Sequence, residues 1–591
     1  MARRHAISAL HAIRERRTPL VDPRDGDVEA DAASPERRSL LALAGNLLTE
    51  VSLPKLAFAI CLLVVLPALL LGAAPLLVSI WLSKFSSTPN GGAIAASVTV
   101  VLLVALAWFG GRPLLRIVES SFWSLNAMAI QPVYVICREG LLHVAGRMSG
   151  AKATEERKER VRTVVKVLSG IVLCGLSVIV LWLLWPSTRW TAQVADVRTP
   201  HRLVVPALVN ATVLVLAYLA VAALVWGIAD GTMPQPRELV EFRSPRDFVR
   251  SWRVAHLSDI HVVAERFGFR LGSGRAGPRG NGNLLVALRQ LDELHQREPL
   301  DAIVVTGDLT DAGTSAEWAV LLEALEHFPR LTELMIAVPG NHDLNVVDRA
   351  NPARLDLPTS PMKRLREVRT LSLLAWLQGE HTCVVDVDRN RVACTVDGIL
   401  APSARDLRAF ANQGTRRLAK RTDAAWQIAF PMVWPPARED GLGILALNSN
   451  AETHFSFTNA LGLVPAEQVK AIDAAMQQYP KATWIIALHH HVVEHPNLGH
   501  ALAERIGTTL INGNWFVRRL LHVSDRAIVM HGHRHIDWMG ECGGLLILSA
   551  PASTMAAKGR SDVYFYVHTV GVDAAGRVGL AEPERVDVLA G

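Results

Sequence analysis

The chain has 591 residues, of which 50% are apolar and 20% charged, with a mean hydropathy of +0.24 and a formal net charge of +6. This length exceeds what a single hydrophobic core usually serves, so we expect at least two structural units. The apolar excess lies almost entirely before residue 230, which excludes a uniformly soluble chain. Arginine and lysine cluster around the apolar segments, so the positive charge indicates membrane topology and argues against a nucleic-acid polymer as partner.

Residues 1–50 are rich in Arg, Asp, Ala and Pro without periodicity, and we expect a disordered basic tail there. In the region that follows, residues 51–230, four apolar segments have about the 20 residues that a helix needs to cross a bilayer. They lie at about 57–81, 93–109, 167–185 and 203–228. Pro67, Gly72 and Pro75 interrupt the first segment, so a kinked or re-entrant helix is an alternative there.

The charges that flank these segments predict their orientation. The tail and the loop between the second and third segments carry 19 Arg and Lys residues, and the opposite side carries 4. Because cytoplasmic loops hold the basic excess, four spans place the C-terminal domain in the cytoplasm. The sequence therefore predicts a multi-pass protein of the inner (cytoplasmic) membrane. If the first segment is re-entrant, it does not cross the membrane. The number of spans is then odd, and this orientation no longer follows.

A proline-punctuated linker, residues 231–250, leads to a globular domain over residues 251–591. Short runs of apolar and β-branched residues alternate in this domain with amphipathic helical stretches, which predicts an α/β sandwich. The predicted strands are 254–257, 302–305, 334–338, 443–447, 484–488 and 527–530, and the predicted helices are 284–293 and 316–327.

Five of the predicted strands end in Asp, Asn or His. Because ligand sites in open α/β sheets form at the carboxyl ends of strands, we expect these side chains to converge. Oxygen and imidazole donors without thiolate suit manganese, iron or zinc in a reactive site rather than a structural zinc cage. Two such ions about 3.5–4 Å apart clamp a phosphoryl group. The strand ends deliver Asp259 and His261, Asp308, Asn341 to Asp343, His489 to His491, and His531, His533 and His535.

Together these blocks resemble the signature of calcineurin-like metallophosphoesterases, over roughly residues 252–560. Leu-Ser-Asp-Ile-His and Gly-Asp-Leu-Thr-Asp are most similar to the cyclic-nucleotide phosphodiesterase branch. The resemblance implies an α/β fold, a four-layer αββα sandwich, preceded here by an α-helical transmembrane bundle. The matching blocks are Asp259-Ile260-His261, Gly307-Asp308, Gly340-Asn341-His342-Asp343, the His489 run and Gly532-His533-Arg534-His535.

The resemblance also implies a binuclear metal centre and a role for each residue. A hydroxide shared by the two ions would attack phosphorus, and His342 would protonate the leaving oxygen or stabilise its charge. Asp343 would orient the His342 imidazole. The implied ligands are Asp259, His261 and His535 for one ion, Asn341, His489 and His533 for the other, and Asp308 as the bridge.

Two features depart from the family pattern. The run His489-His490-His491-Val492 replaces His-His-Pro, so His489 is the expected ligand, His490 is the alternative, and His491 is expected to face solvent or substrate. His531 is expected either to support a ligand or to lie at the surface.

The second departure is an insertion at about 344–440, which is expected to cap the site and select the substrate. It contains a predicted helix, 363–376, a basic stretch, 416–421, and a hairpin at 386–391 whose flanking Cys383 and Cys394 leave a disulfide as an alternative. A smaller Gly- and Arg-rich insertion, 267–283, is expected to lie over the metals and to contact substrate through Arg270, Arg275 or Arg279.

The sequence thus predicts a membrane-anchored, metal-dependent phosphohydrolase, with a phosphodiester favoured over a phosphomonoester or pyrophosphate. The expected substrate is a phosphorylated small molecule, such as a cyclic nucleotide, or a lipid-linked pyrophosphate. The alternative is a degenerate phosphoesterase domain that acts as a membrane sensor or scaffold. A transporter is disfavoured, since the four predicted spans hold no Asp, Glu or Lys.

Overall fold

The computed structural model describes most of the chain from residue 57 onward. Its described residues form two compact units, one within Val51–Met233 and the other within Pro234–Gly591. The predicted tail, 1–50, and nearly all of the second predicted span, 93–109, lie outside the described residues. The described residues are 57–86 except 59, eight isolated positions between 97 and 130, and 131–149, 155–264, 278–345, 361–413, 425–453, 458–495, 508–556 and 562–588.

The described part of the first unit is helical. Three of its helices are long and apolar enough to cross a membrane, over Leu66–Ser83, Glu159–Ser187 and His201–Gly231. Pro75 lies inside the first of them without ending it. A π-helical turn, Cys61–Val65, precedes α1 (Leu66–Ser86), and the others are α2 (Gln131–Ser149), α3 (Glu155–Leu184) and α4 (His201–Gly231).

The two longest helices, α3 and α4, approach closely because glycine lies at their contact. A Cβ placed on Gly170 would come within 2.5 Å of the Ala223 carbonyl oxygen, and one on Gly227 within 2.9 Å of the Gly170 Cα. Large apolar side chains point outward instead, as Trp182 does with 72% of its surface exposed. Small residues at the contact and apolar residues outside are typical of helices packed in a bilayer.

A buried ionic cluster joins α2 to this helix pair. Asp230, near the end of α4, accepts hydrogen bonds from the Tyr134 hydroxyl at 3.1 Å and from Arg138 at 3.2 Å. Its other carboxylate oxygen lies 3.1 Å from Lys166 Nζ. Helices α3 and α4 extend beyond the predicted apolar segments 167–185 and 203–228. Lys166 and Asp230 lie in these extensions.

The described part of the second unit contains two β-sheets, the larger with nine strands. Four of its central strands run parallel, so their carboxyl ends lie at one edge: Leu442–Ala446, Thr483–Ala487, Ala527–His531 and Leu545–Ser549. The spatial order is β1 (Arg237–Glu238), β11 (Trp538–Cys542), β12 (Leu545–Ser549), β10 (Ala527–His531), β9 (Thr483–Ala487), β8 (Leu442–Ala446), β7 (Met432–Trp434), β5 (Cys383–Asp386) and β6 (Arg391–Thr395).

In the smaller sheet, three strands run parallel: Arg250–Leu257, Ala302–Val305 and Met335–Ala337. The last of these lies at the edge of the sheet. Its members are β2 (Arg250–Leu257), β3 (Ala302–Val305), β4 (Met335–Ala337), β13 (Tyr564–Val572), β14 (Val578–Leu580) and β15 (Glu584–Asp587), the last pairing with β13.

The two sheets and their helices share one hydrophobic core. Val254 and Val304 of the smaller sheet belong to the same buried cluster as Ile485 and Met530 of the larger. This arrangement confirms the predicted αββα sandwich. The helices of the unit are α5 (Pro278–Arg297), α6 (Ser315–Glu326), α7 (Pro329–Thr332), α8 (Asn341–Leu344), α9 (Pro361–Gln378), α10 (Val396–Leu400), α11 (Ala404–Gln413), α12 (Ala466–Gln478) and α13 (Gly513–Leu520).

The insertion differs from a simple cap. It supplies α9, which packs beside α8, and the strands β5, β6 and β7, which extend the larger sheet. The predicted hairpin is present as β5 and β6, but Cys383 and Cys394 are free thiols, so the alternative disulfide is not formed. The basic stretch 416–421, Arg270 and Arg275 lie outside the described residues, as does the side chain of Arg279.

Candidate metal centre

The carboxyl ends of β2, β3, β4, β9 and β10 bring the seven predicted ligands to one place. Of the three groups of described residues whose ligand atoms lie within 4.8 Å of one another, one joins His261 to Asp311 and His342. The other two hold six of the seven predicted ligands: Asp259, His261 and His535 in the first group, and Asp308, His489 and His533 in the second. Asp308 lies between them, since its Oδ2 is 3.5 Å from His261 Nε2 and 3.4 Å from His489 Nε2.

In the first group, imidazole nitrogens face each other. His261 Nε2 lies 3.2 Å from His535 Nε2, and His535 Nε2 lies 3.3 Å from Asp259 Oδ1. Asp259 and His261 are almost fully buried, whereas the His535 side chain is 28% exposed. The cluster is therefore reached from the side of His535.

In the second group, backbone carbonyls select the histidine tautomers. The Nδ1–H of His489 donates to the Thr306 carbonyl at 2.8 Å, and the Nε2–H of His533 donates to the Thr508 carbonyl at 3.0 Å. Their remaining nitrogens, His489 Nε2 and His533 Nδ1, lie 3.0 Å apart, and Asn341 Oδ1 lies 3.1 Å from His489 Nε2. Hydrogen bonds of this kind fix imidazole lone pairs toward a metal position.

The donor set fits divalent ions. Neighbouring donors at 3.0–3.5 Å match the separation of adjacent ligands around an ion with bonds of about 2.1 Å. Two lone pairs that face each other at 3.0 Å require a cation or a proton between them. Burial lowers the pKa of His489, but the Asp308 carboxylate outweighs burial and raises it to about 9. Burial and His489 together lower the pKa of His533 to about 3.

The backbone at these positions is strained. Five of the six described non-glycine residues with positive φ belong to the cluster, and such conformations cost about 1–3 kcal/mol each, so they persist where the surrounding structure enforces them. They are Asp259 (φ 52°), His261 (φ 47°), Asp308 (φ 50°), His533 (φ 76°) and His535 (φ 53°).

A close approach of α8 to the β3 loop holds Asp308 in place. The backbone N–H of His342 donates to Asp308 Oδ1 at 2.8 Å, which leaves Oδ2 toward the two groups. A Cβ on Gly340 would collide with the Asp308 backbone and carboxylate, so only glycine permits this approach. Burial raises the pKa of Asp308, but His489 and His342 together lower it well below its usual value.

The predicted pairing of Asp343 with the His342 imidazole is wrong. The Asp343 carboxylate accepts hydrogen bonds from the backbone N–H of Thr310 and Gly340, both at 2.9 Å, and so joins the β3 and β4 loops. The His342 Nδ1–H donates to the Asp311 carbonyl at 2.7 Å instead. Asp311 Oδ1 also lies 3.5 Å from His261 Nδ1. Asp311, the second Asp of Gly-Asp-Leu-Thr-Asp, had no predicted role.

The other histidines of the two runs surround the cluster. His490 is buried, and its Nδ1 lies 2.9 Å from Ser449 Oγ, so the structure groups His489 and not His490 with Asp308 and His533. His491 is 2% exposed, which contradicts the expected solvent-facing position. His531 is fully buried, and its ring stacks against that of His495. The expected alternative of a surface position for His531 is therefore wrong as well.

Comparison with protein families gives a match over the domain that contains the cluster. A family model described as calcineurin-like phosphoesterase matches residues 253–537, which confirms the resemblance predicted from the motifs. No curated protein matches the chain at a significant level.

Among the solved structures that are similar to this chain, two illustrate the range. A dimetal phosphatase from Danio rerio is 12% identical, with a TM-score of 0.34, over 57% of this chain and 99% of that one. A candidate 5'-nucleotidase from Staphylococcus aureus, in complex with alpha-ketoglutarate, is 10% identical, with a TM-score of 0.29, over 58% of this chain and 55% of that one.

Proposed function

We propose, on the premise that residues 253–537 are a calcineurin-like phosphoesterase domain, that this chain is a membrane-anchored, binuclear metal-dependent phosphohydrolase. The observation that carries the proposal is the convergence of Asp, Asn and His donors from five strand ends in two adjacent groups. Asp259, His261 and His535 would hold one ion, Asn341, His489 and His533 the other, and Asp308 both. When bound, two such ions polarise a phosphoryl group and activate water for attack on phosphorus.

His342 is the proposed proton donor to the leaving oxygen. Its Nδ1–H is committed to the Asp311 carbonyl, so Nε2 is the nitrogen that would deliver a proton. Its side chain is 10% exposed, whereas that of Asp308 is 2% exposed. The more open residues, His342 and His535, therefore mark the side from which substrate would enter. Asp343 acts in this scheme by holding the two metal-bearing loops together.

The proposed substrate is a phosphodiester, with phosphomonoesters and pyrophosphates cleaved less well. The motif similarity to cyclic-nucleotide phosphodiesterases supports a nucleotide, and a membrane anchor supports a lipid-linked pyrophosphate. Three apolar helices of sufficient length support the anchor. We place the protein in the inner membrane with four spans and a cytoplasmic catalytic domain, because the basic residues cluster on one side of the apolar segments.

The proposal is tested by activity measurements on the detergent-solubilised full chain with manganese. The substrates are bis-p-nitrophenyl phosphate, p-nitrophenyl phosphate, cyclic AMP and a nucleotide-diphospho-lipid, whose relative rates separate the nucleotide and lipid alternatives. Asp308→Ala should lose all activity, while Asp292→Ala, at a partly exposed position on α5, should retain it. Activity that survives Asp308→Ala would refute the bridging assignment.

A labelling experiment tests the proposed side of the membrane. Cys394 is exposed on β6, so a membrane-impermeant maleimide should react with it only after the cells are opened. Labelling in intact cells that disappears in Cys394→Ser would place the domain on the opposite side.

A further inference from the structure

The inserted helix α9 contacts both ends of the loop that carries Asn341 and His342. This loop runs from Ala337, the last residue of β4, to Leu344, the last residue of α8. The loop lies at the edge of the smaller sheet, because among the strands that the structure describes β4 pairs with β3 alone. The outward backbone groups of an edge strand need other partners when they are buried.

Gln378, the last residue of α9, supplies those partners at the start of the loop. Its side-chain oxygen accepts a hydrogen bond from the Ala337 N–H at 2.7 Å, and its side-chain nitrogen donates to the Ala337 carbonyl at 3.1 Å. The side chain is 1% exposed. One amide group thus replaces the missing strand beside Ala337, four residues before Asn341.

Arg366, near the beginning of α9, acts at the other end. Its Nε–H donates to the Leu344 carbonyl at 2.9 Å, directly after the turn that holds Asn341 and His342. Its Cδ also lies 3.2 Å from the position a Cβ would take on Gly313, in the loop that follows β3. Arg366 therefore packs against both metal-bearing loops and is itself 7% exposed.

We propose that Gln378 and Arg366 are positioning residues that hold Asn341 in its place as a ligand of the second ion. The inference rests on the proposed function for the metal assignment. The side-chain hydrogen bonds of Gln378 to Ala337 support the loop of Asn341, whereas Asp259, His261 and His535 lie on other loops. Arg366 also packs against the β3 loop, which carries the shared ligand Asp308. Loss of Gln378 should therefore weaken the second ion selectively, and loss of Arg366 should affect the second ion more than the first.

The test measures manganese binding to the detergent-solubilised full chain by calorimetry, together with the exchange-coupled electron paramagnetic resonance signal of paired Mn²⁺ ions. Gln378→Leu should weaken binding of the second ion about 10- to 100-fold, the usual effect of removing a group that orients a ligand. Binding of the first ion should stay within about two-fold, and the coupled signal should fall. Gln378→Glu keeps an acceptor for the Ala337 N–H and should lie between wild type and Gln378→Leu.

Arg366→Lys provides the conservative comparison at the other end, since it retains a donor for Leu344 and should bind the second ion more tightly than Arg366→Leu. The matched control is Gln477→Leu, an exposed glutamine on α12. If Gln378→Leu yields no folded protein, Gln378→Glu is decisive by the same readout.

Equal weakening of both ions, or unchanged binding of both in every variant, would overturn the positioning role. A wild-type chain that binds two ions but hydrolyses none of the substrates would refute the proposed function while the binding data still decide the role of Gln378 and Arg366. A wild-type chain that binds no ion would refute both proposals.

Discussion

The two units each bury a polar cluster, and the two clusters are opposite in kind. In the helical unit, the Asp230 carboxylate meets Arg138, Lys166 and a tyrosine hydroxyl, so opposite charges and matching donors neutralise one another. In the sandwich, carboxylates and imidazole lone pairs meet each other on a strained backbone. A complementary cluster satisfies its own charges without a ligand, whereas a cluster of electron-pair donors is complete only with a cation.

The largest expected effect comes from removing one donor of the second group. His489→Gln should lower the rate by about 1000-fold or more, since a metal ion supplies several kcal/mol of transition-state stabilisation. The neighbouring His490→Gln serves as the matched variant, because His490 contacts Ser449 instead. Its rate should fall far less, and its second manganese ion should remain bound. Equal losses in the two variants, measured by hydrolysis and metal content, would show that the ligand is misassigned.

Breaking the complementary cluster should affect stability rather than chemistry. Asp230→Leu removes the carboxylate shared by Lys166 and Arg138, while Arg138 keeps Glu139 at 3.0 Å. The expected cost is about 3 kcal/mol, the lower end for a broken buried ion pair. The unfolding temperature of the detergent-solubilised protein should fall, while manganese binding below that temperature stays unchanged. Asp196→Leu, at a more exposed ion pair, should have a much smaller effect. An unchanged unfolding temperature for Asp230→Leu would show that the Asp230 cluster does not contribute to stability.

His342 separates proton transfer from metal binding within the sandwich. His342→Asn should slow hydrolysis of cyclic AMP by about 100-fold, as expected when a general acid is lost. Bis-p-nitrophenyl phosphate should be affected much less, because nitrophenolate leaves without protonation. His522→Asn, at a solvent-exposed histidine, is the control. Equal slowing of both substrates would assign His342 to metal or phosphate binding instead.

The smallest expected effect concerns a buried histidine that belongs to neither cluster. Burial lowers the pKa of His568 to about 4, below the ordinary value of 6.5. The unfolded chain therefore takes up a proton first as the pH falls, and the free energy of unfolding should drop by about 1.6 kcal/mol from pH 6.5 to pH 5. This loss ends near pH 4. His568→Gln should show a shallower slope in denaturant titrations at these pH values, and an identical slope would contradict the burial argument.

The ligand positions are predictable from sequence because topology determines them. Parallel strands must deliver their next residues to one edge, so Asp259 and Asp308 could be placed together without coordinates. The hydrogen-bond partner of the His342 imidazole could not be predicted, because it depends on how closely α8 approaches the β3 loop at Gly340. The burial of His491 and His531 was missed for a related reason, because histidine runs look hydrophilic in sequence whichever way they fold. The hydrophobic segments located three helices but not their ends, since polar residues continue α3 and α4.

The strands that the insertion adds have a practical consequence for truncated versions of this protein. Removing residues 344–440 would take away β5, β6 and β7 and leave β8 as an outer strand. Its unpaired N–H and C=O groups would then offer a template to any other chain in solution. We expect such a shortened protein to precipitate or to assemble edge to edge, as size-exclusion chromatography would reveal. A minimal soluble version should therefore be cut at the linker and keep the insertion whole.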